Sequence, residues 1–339
     1  MGYGRRVDQV VGGLSRILHG IRGAKVNTVG DLHRYYDLTA EQLFPAPTSF
    51  PQVRMDRSLL SRALRRTTLS WESTHEPICP RYRRRHEKEY AKNKIAWARW
   101  LHPKGGPHKA CLVYVHGWLE PGSWAEEAAL FPRWQKELGV DILHVTLPFH
   151  GLRNPRSALF SGELFWTGDL VRSMEAIRQS AHDVRSAMSW LRAQGYEQVG
   201  VTGLSLGGAI VMLLACLEPL PDYVIPMIAH LRIFEAVEHA PILWRMKSDL
   251  DAWGVDAPQR KRVFERLGLA TLRPKLPVAR QLWIEAKEDV YIAAPLVLDQ
   301  WEEWGRPEIY WLAGGHMTFP LELEGMTKAM AEFRQGLPR

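Results

Sequence analysis

Residues 198–217 read QVGVTGLSLGGAIVMLLACL and contain the pattern that decides the fold. The first part, QVGVTG, predicts a short strand, and the last part, GAIVMLLAC, is an apolar run that predicts a buried helix. Between them lies Gly203-Leu204-Ser205-Leu206-Gly207, which has the form G-x-S-x-G. This context predicts a sharp turn that holds Ser205 on a strained backbone, with glycine at both flanks because larger residues would clash. The alternative is a chance glycine-rich turn, and the flanking strand and helix argue against it.

Short β-rich runs recur from about residue 95 onward and alternate with longer amphipathic stretches. This alternation is typical of a largely parallel sheet with crossover helices. The predicted strands are 95–101, 110–115, 141–147, 198–203, 222–229, 279–286 and 308–313, and helices are expected at 124–138, 170–194 and 207–217. Residues 230–278 carry no comparable strand. We therefore predict an α/β catalytic domain over residues 91–339, with an inserted lid at about 230–278.

Residues 1–90 differ from the rest and are predicted to form a helical, basic extension. Apolar residues recur at helical spacing near its start and predict a packing helix; they are Val7, Val10, Val11, Leu14, Ile17, Leu18 and Ile21. Between Arg54 and Lys94 there are twelve Lys or Arg and five acids, a surplus that equals the net charge of +7 for the whole chain. Such a cluster suits an anionic lipid, a nucleic acid or an acidic substrate, and the alternative is a solvated face that keeps the protein soluble.

The composition gives further expectations about the core, the redox environment and the cellular location of the protein. A chain of 339 residues that is 46% hydrophobic can bury a large core in one main domain. Three cysteines are too few for a disulfide framework and favour a reducing compartment. The first residues lack the apolar stretch of a secretion signal, and no uncharged apolar run reaches the roughly 18 residues that span a bilayer. We expect a cytoplasmic protein that contacts anionic membranes peripherally and binds no nucleic acid.

Two later loops supply the partners that a nucleophilic serine needs. A serine hydroxyl is a weak nucleophile until a base takes its proton, and imidazole does this best when a carboxylate fixes its tautomer. Asp289 follows strand 279–286 and His316 follows strand 308–313, in the chain order of nucleophile, acid and base. We predict that Ser205 is the nucleophile, His316 the base and Asp289 the acid, with Glu288 and Glu285 as rivals for the acid.

The loop after strand 110–115 reads His116-Gly117-Trp118. This position is where such a sheet supplies an amide to the oxyanion hole, so we predict that the backbone N–H groups of Trp118 and Leu206 bind the oxyanion. His116 itself is expected to brace the loop through hydrogen bonds.

Candidate substrate contacts lie at His116 and in the loop after strand 141–147, at His150 and Arg153. A role in bracing the loop is equally open for the latter two. The histidines lack the close ligand pairs of metal sites, and no phosphate-binding loop of the G-x-x-x-x-G-K-[ST] type occurs. We expect neither a metal nor a cofactor.

These features together resemble the α/β-hydrolase superfamily over about residues 95–339. More narrowly, residues 148–153 (PFHGLR), 192–196 (RAQGY) and 203–208 (GLSLGG) resemble the alpha/beta hydrolase domain-containing protein eighteen branch. That branch usually shows a tyrosine-glycine pair where this chain has His150-Gly151. The resemblance implies the α/β-hydrolase fold and an acyl-lipid substrate.

The expected reaction is acyl transfer to water through an acyl-enzyme on Ser205. A carboxylic ester, either a small molecule or an acyl lipid, is the expected substrate. An amidase or peptidase with the same three residues is an alternative, and a binding member of the fold without catalysis is another. The oligomeric state is left open by the sequence.

Overall fold

The structure is a computed structural model that describes residues 2–20, 23–59, 64–120, 122 and 124–337. Ile21 of the predicted packing helix and Arg62 of the basic segment lie outside the described residues. The strands are β1 (Arg54–Leu59), β2 (Leu64–Glu72), β3 (Ile95–Pro103), β4 (Ala110–Val115), β5 (Asp141–Thr146), β6 (Gln198–Leu204), β7 (Tyr223–Met227), β8 (Leu282–Ala286) and β9 (Glu308–Leu312). The α-helices are α1 (Tyr3–Gly20), α2 (Ala40–Leu43), α3 (Pro80–Lys88), α4 (Phe131–Leu138), α5 (Leu170–Ala193), α6 (Leu206–Ala215), α7 (Ile233–His239), α8 (Trp244–Ala252), α9 (Ala257–Leu267), α10 (Ala294–Glu303) and α11 (Leu323–Gln335).

The strands form a single sheet in the order β1-β2-β3-β5-β4-β6-β7-β8-β9. Strands β4 to β9 run in the same direction, whereas β1, β2 and β3 pair in antiparallel fashion at one side. The carboxyl ends of six strands therefore meet at one edge, which is where open α/β sheets carry their ligand sites.

Both faces of the sheet are covered. Along β4, Val113 joins a core that includes residues of α5 and α6, while Leu112 joins a second core with residues of α4 and α11. All six residues of β4 are buried, as expected for a central strand of a parallel sheet. The predicted α/β class is confirmed, and the seven expected strands lie within three residues of β3 to β9 at each end.

The prediction of a helical extension is wrong for residues 54–59 and 64–72, which form β1 and β2. In β2, Thr67, Leu69 and Trp71 are buried at every second position, and the strand pairs along its whole length with β3. Thr68 and Ser70 separate these buried residues, and Arg65 and Arg66 precede them, so the sequence does not clearly show the period of two that a half-buried strand has. The extension is thus partly built into the sheet.

The segment between β7 and β8 is the predicted lid, and its α-helices are α7, α8 and α9. Residues from this segment, among them Leu231, Ala236 and Leu243, line the cavity described below. Within the described ranges, no helix has the length and apolar composition needed to cross a bilayer.

Candidate active site

Ser205 lies on the turn between β6 and α6, at the carboxyl edge of the sheet. Its φ is +53°, a left-handed conformation that is strained for a residue with a side chain. The glycines on either side allow a close approach to neighbouring backbone. A Cβ on Gly207 would lie 2.0 Å from the carbonyl oxygen of Val115, and one on Gly203 would lie 2.6 Å from the backbone of Gly207. The turn therefore requires glycine at both positions.

The structure brings Ser205, His316 and Asp289 together. The Oγ of Ser205 lies 3.0 Å from Nε2 of His316, and Nδ1 of His316 lies 2.7 Å from Oδ2 of Asp289. The other carboxylate oxygen of Asp289 accepts hydrogen bonds from the backbone N–H groups of Tyr291 and Ile292, at 2.6 and 2.8 Å. With Nδ1 donating to Asp289, Nε2 of His316 is left to accept a proton from the serine.

The two rival acids point elsewhere. Glu288 accepts a hydrogen bond from the backbone N–H of Gly4 at 2.8 Å, so its carboxylate is used by helix α1. Glu285 is buried and accepts from the backbone N–H of Ala229 at 3.3 Å. Of the three candidate acids, Asp289 is the one whose carboxylate contacts the imidazole of His316.

The electrostatic surroundings of His316 favour its charged form. Burial alone lowers the pKa of this imidazole, but the charge of Asp289, the hydrogen bond to Asp289 and the charge of Asp8 together raise it above the ordinary value of 6.5. The imidazole is therefore more basic than a free histidine, which suits a group that takes a proton.

The residues predicted for the oxyanion hole lie beside the serine. Trp118 and Leu206 both line the cavity that contains Ser205, and a Cβ on Gly117 would lie 3.9 Å from the Cβ of Ser205. The indole of Trp118 is held by a 2.8 Å hydrogen bond from Nε1 to the carbonyl oxygen of Gly162.

His116 braces this loop. Its Nε2 accepts from the backbone N–H of Leu147 at 3.0 Å, and its Nδ1 then carries the proton that meets the carbonyl oxygen of Gly117 at 2.7 Å. Burial lowers the pKa of His116 to about 4, so the ring is neutral at physiological pH. His116 and His150 line a separate cavity of about 320 Å³ rather than the one that contains Ser205.

Arg153, a candidate substrate contact, is fully buried and has structural partners. Its guanidinium forms a 2.8 Å ion pair with Asp183 and donates to the carbonyl oxygens of Thr146 and Asn93, at 3.0 and 2.8 Å. The charge of Arg153 is satisfied inside the protein, and the structure does not bring this side chain to the serine.

The cavity above Ser205 has a volume of about 450 Å³ and is lined mainly by aliphatic and aromatic side chains. Its walls come from the loop that contains Trp118, from α6, from the segment between β7 and β8, and from helix α1 through Val11, Leu14 and Ser15. A cavity of this size and character suits an apolar ligand with few polar groups. In the described part of the chain, no group of His, Cys, Asp and Glu is arranged to hold a metal ion.

The site contains two polar residues that no sequence motif predicts. His230 lines the cavity, and its Nδ1 accepts from the backbone N–H of Arg232 at 3.0 Å, so Nε2 carries the proton. Asp8 of helix α1 binds the loop that contains His316. His230 lies in the predicted lid segment, and Asp8 is far in sequence from the other residues of the site. Neither residue belongs to a local motif that would have predicted its place.

Comparison with known proteins agrees with the fold. Residues 93–234 match the family model described as "Alpha/beta hydrolase domain containing 18", which confirms the resemblance to that branch. An uncharacterized protein of Mycobacterium tuberculosis (strain CDC 1551 / Oshkosh) is 30% identical over 253 residues, which is 68% of this chain and 54% of the relative. Its counterpart from strain H37Rv matches equally. The chain thus spans about half the length of the curated relatives it matches.

Solved structures show the same fold at low sequence identity. An acetyl xylan esterase from Paenibacillus sp. R4 superposes with a TM-score of 0.62 at 13% identity, covering 93% of this chain and 95% of that one. Acetyl xylan esterase 1 from Thermoanaerobacterium sp. JW/SL YS485 gives a TM-score of 0.61 at 14% identity, with 94% and 100% covered. At these identities the similarity concerns the fold alone.

Proposed function

We propose that this chain is a serine hydrolase that cleaves carboxylic esters, because residues 93–234 match an alpha/beta hydrolase family model and the chain has the fold of two acetyl xylan esterases. The observation that carries the proposal is the chain of hydrogen bonds from Ser205 Oγ through His316 to Asp289, with distances of 3.0 and 2.7 Å. This arrangement activates a serine for attack on a carbonyl carbon.

The reaction begins when Ser205 Oγ attacks the ester carbonyl and Nε2 of His316 takes the hydroxyl proton. Asp289 stabilises the imidazolium that forms, because its carboxylate faces Nδ1–H. The carbonyl oxygen becomes an oxyanion, and the backbone N–H groups of Trp118 and Leu206 are proposed to bind it.

The tetrahedral intermediate then collapses. His316 donates its Nε2 proton to the leaving alcohol, and the acyl group remains on Ser205. A water molecule next loses a proton to His316 and attacks the acyl carbon, which releases the carboxylic acid and restores the serine.

The character of the cavity supports an acyl group of low polarity. Its wall is apolar apart from a few residues near the serine, and Val11 and Leu14 of helix α1 extend that wall. An acyl-lipid or similarly apolar ester is the substrate class that we propose.

A cytoplasmic location is supported by the three cysteines, which are buried free thiols.

Two experiments test the proposal. A fluorophosphonate probe should label the wild-type protein at Ser205, and loss of labelling in Ser205→Ala would assign the reaction to that residue. A panel of p-nitrophenyl esters of increasing acyl length, compared with matching anilides, separates an esterase from an amidase or peptidase. Faster cleavage of the anilides would favour the alternative, and an unlabelled wild type would indicate a binding member of the fold.

The raised pKa of His316 predicts a pH dependence. Only the neutral imidazole accepts the serine proton, so the acylation rate should fall as the pH drops through a value above 6.5. The rate of fluorophosphonate labelling, measured from about pH 5 to pH 9, should show this acidic limb. In Asp289→Asn the limb should move to lower pH, since the charge that raises the pKa is removed. A wild-type midpoint at or below 6.5 would contradict a raised pKa for His316.

We also propose that the basic helix α3 contacts anionic membrane surfaces. Arg84 and Lys88 of this helix are exposed, whereas Arg85 forms a 2.7 Å ion pair with the buried Asp169 and is turned inward. Arg83 is exposed but donates to the carbonyl oxygen of Pro77 at 2.8 Å. The outward charge of α3 is thus smaller than the sequence suggests, and Arg84 and Lys88 are the residues to change.

Vesicle co-sedimentation tests this contact. Each basic side chain near an anionic bilayer contributes about 1 kcal/mol, so Arg84→Gln with Lys88→Gln should weaken binding to anionic vesicles about tenfold or more. The matched control is Lys136→Gln with Lys328→Gln, which removes the same charge from exposed positions on α4 and α11. Equal binding of the wild type to anionic and neutral vesicles, or equal weakening by both pairs, would refute the contact.

A further inference from the structure

Helix α1 packs against the rest of the chain through small and polar residues, and not through all of the apolar residues that predicted its packing face. Gly4, Asp8, Gly12 and Ser15 are buried, whereas Val10 and Leu14 are 63% and 57% exposed. The buried positions are spaced by four, four and three residues, which places them on one face of the helix. Val10 and Leu14 therefore do not pack as predicted, whereas Val7 and Val11 are half-buried. The docking face is made of small and polar residues because the helix lies too close to the rest of the chain for large side chains.

The close approach is directed at the loop that carries His316. A Cβ on Gly4 would lie 2.2 Å from the backbone nitrogen of Gly315, and a Cβ on Gly12 would lie 3.0 Å from the Cβ of Pro241. The carboxylate of Glu288 caps the first turn of α1 by accepting from the N–H of Gly4 at 2.8 Å. The helix is thus held against both loops of the site.

Asp8 makes the central contact. Its Oδ2 accepts hydrogen bonds from the backbone N–H groups of His316 at 2.8 Å and Val290 at 3.3 Å, and its Oδ1 accepts from Met317 at 2.8 Å. The side chain is fully buried. One carboxylate therefore joins the loop of the base to the loop of the acid, since Val290 directly follows Asp289.

We propose that Asp8 is a positioning residue for His316 and Asp289, and that helix α1 is part of the active site. The inference rests on the proposed function, because it concerns the geometry that acylation of Ser205 requires. The loop before His316 contains Gly314 and Gly315, whose backbones have more conformational freedom than other residues. A fixed external acceptor restricts that freedom and keeps the imidazole at hydrogen-bond distance from the serine.

The same helix contributes to substrate binding. Val11, Leu14 and Ser15 line the cavity, and the backbone carbonyl of Asp8 accepts a 2.5 Å hydrogen bond from the hydroxyl of Tyr291, another cavity residue. Docking of α1 thus completes the cavity wall and orients the base in one step.

Two variants test the role of Asp8. Asp8→Ala removes all three acceptor contacts and should slow fluorophosphonate labelling about ten- to a hundredfold, because a misplacement of about 1 Å has effects of that size. Asp8→Asn keeps one acceptor oxygen and should lose less. With an ester substrate, the loss should appear in kcat more than in KM, counted per folded molecule. The control Gln9→Ala, at the exposed neighbouring position, should stay within about twofold of wild type.

Amide hydrogen exchange separates this inference from the proposed function. The backbone N–H groups of His316 and Met317 should be protected in the wild type and should exchange faster in Asp8→Asn, whether or not the protein cleaves esters. An unlabelled wild type would reject the proposed function, and unchanged exchange of these two amides in Asp8→Asn would reject the positioning role. Labelling of Asp8→Ala at the wild-type rate would also overturn it.

Discussion

Ser205→Ala is expected to fold normally and to lose about a thousandfold or more in turnover. The covalent route disappears with the hydroxyl, while the oxyanion hole and the cavity remain to give a small residual rate. The backbone of the turn, at φ +53°, is as strained with alanine as with serine, so stability should change little. Turnover of an ester and the melting temperature, measured on the same preparations, check both parts.

A matched variant strengthens this test. His316→Ala should lose activity on a similar scale, and the double variant should lose little more than either single change, because the serine and the base act as one unit. Losses that multiply in the double variant would show that the two side chains act independently. Retention of more than about a tenth of the activity in Ser205→Ala would remove this serine from its role.

Asp289→Asn is expected to reduce turnover about a thousandfold, because it forces the wrong tautomer on His316. Oδ1 of Asp289 accepts two backbone N–H groups, so the amide oxygen of asparagine will take that place. The amide nitrogen then faces Nδ1 of His316, which must accept a hydrogen bond and give its proton to Nε2. An Nε2 that carries a proton cannot take one from Ser205.

Glu288→Gln serves as the control for this change. The carboxylate of Glu288 accepts the N–H of Gly4, and a glutamine oxygen can accept the same bond. Its turnover should therefore stay within a few-fold of wild type. If Glu288→Gln proved more damaging than Asp289→Asn, the acid would be misassigned. Turnover of both variants with one ester at a single pH decides the matter.

The central fold could be predicted because its signals are local. Buried parallel strands such as β4 are continuous apolar runs, and the G-x-S-x-G turn lies between a strand and a helix that each have a clear pattern. The loops that contain Asp289 and His316 follow recognisable strands, so their positions at the sheet edge followed from the strand order.

Other features depend on contacts between residues that are far apart in sequence, and no local pattern predicts such contacts. In β2, Arg65 and Arg66 precede the alternating buried residues and suggest a solvated helix, and only pairing with β3 reveals the strand. Arg153 follows β5 at the same edge of the sheet, yet its ion pair with Asp183 turns it into the core. The buried face of α1 consists of glycine, aspartate and serine, which hydrophobic periodicity does not detect.

The contact between Asp8 and His316 joins residues 308 positions apart, and this separation bears on how the protein is made. Ribosomes add roughly 5 to 20 residues per second, so about 15 to 60 s pass between synthesis of the two residues. In the last part of that time the nascent chain already contains Ser205 and its turn, but it still lacks His316 and the loop that Asp8 binds. If Asp8 positions His316 as proposed, the site is complete only after the loop that contains His316 has been synthesised and has bound helix α1.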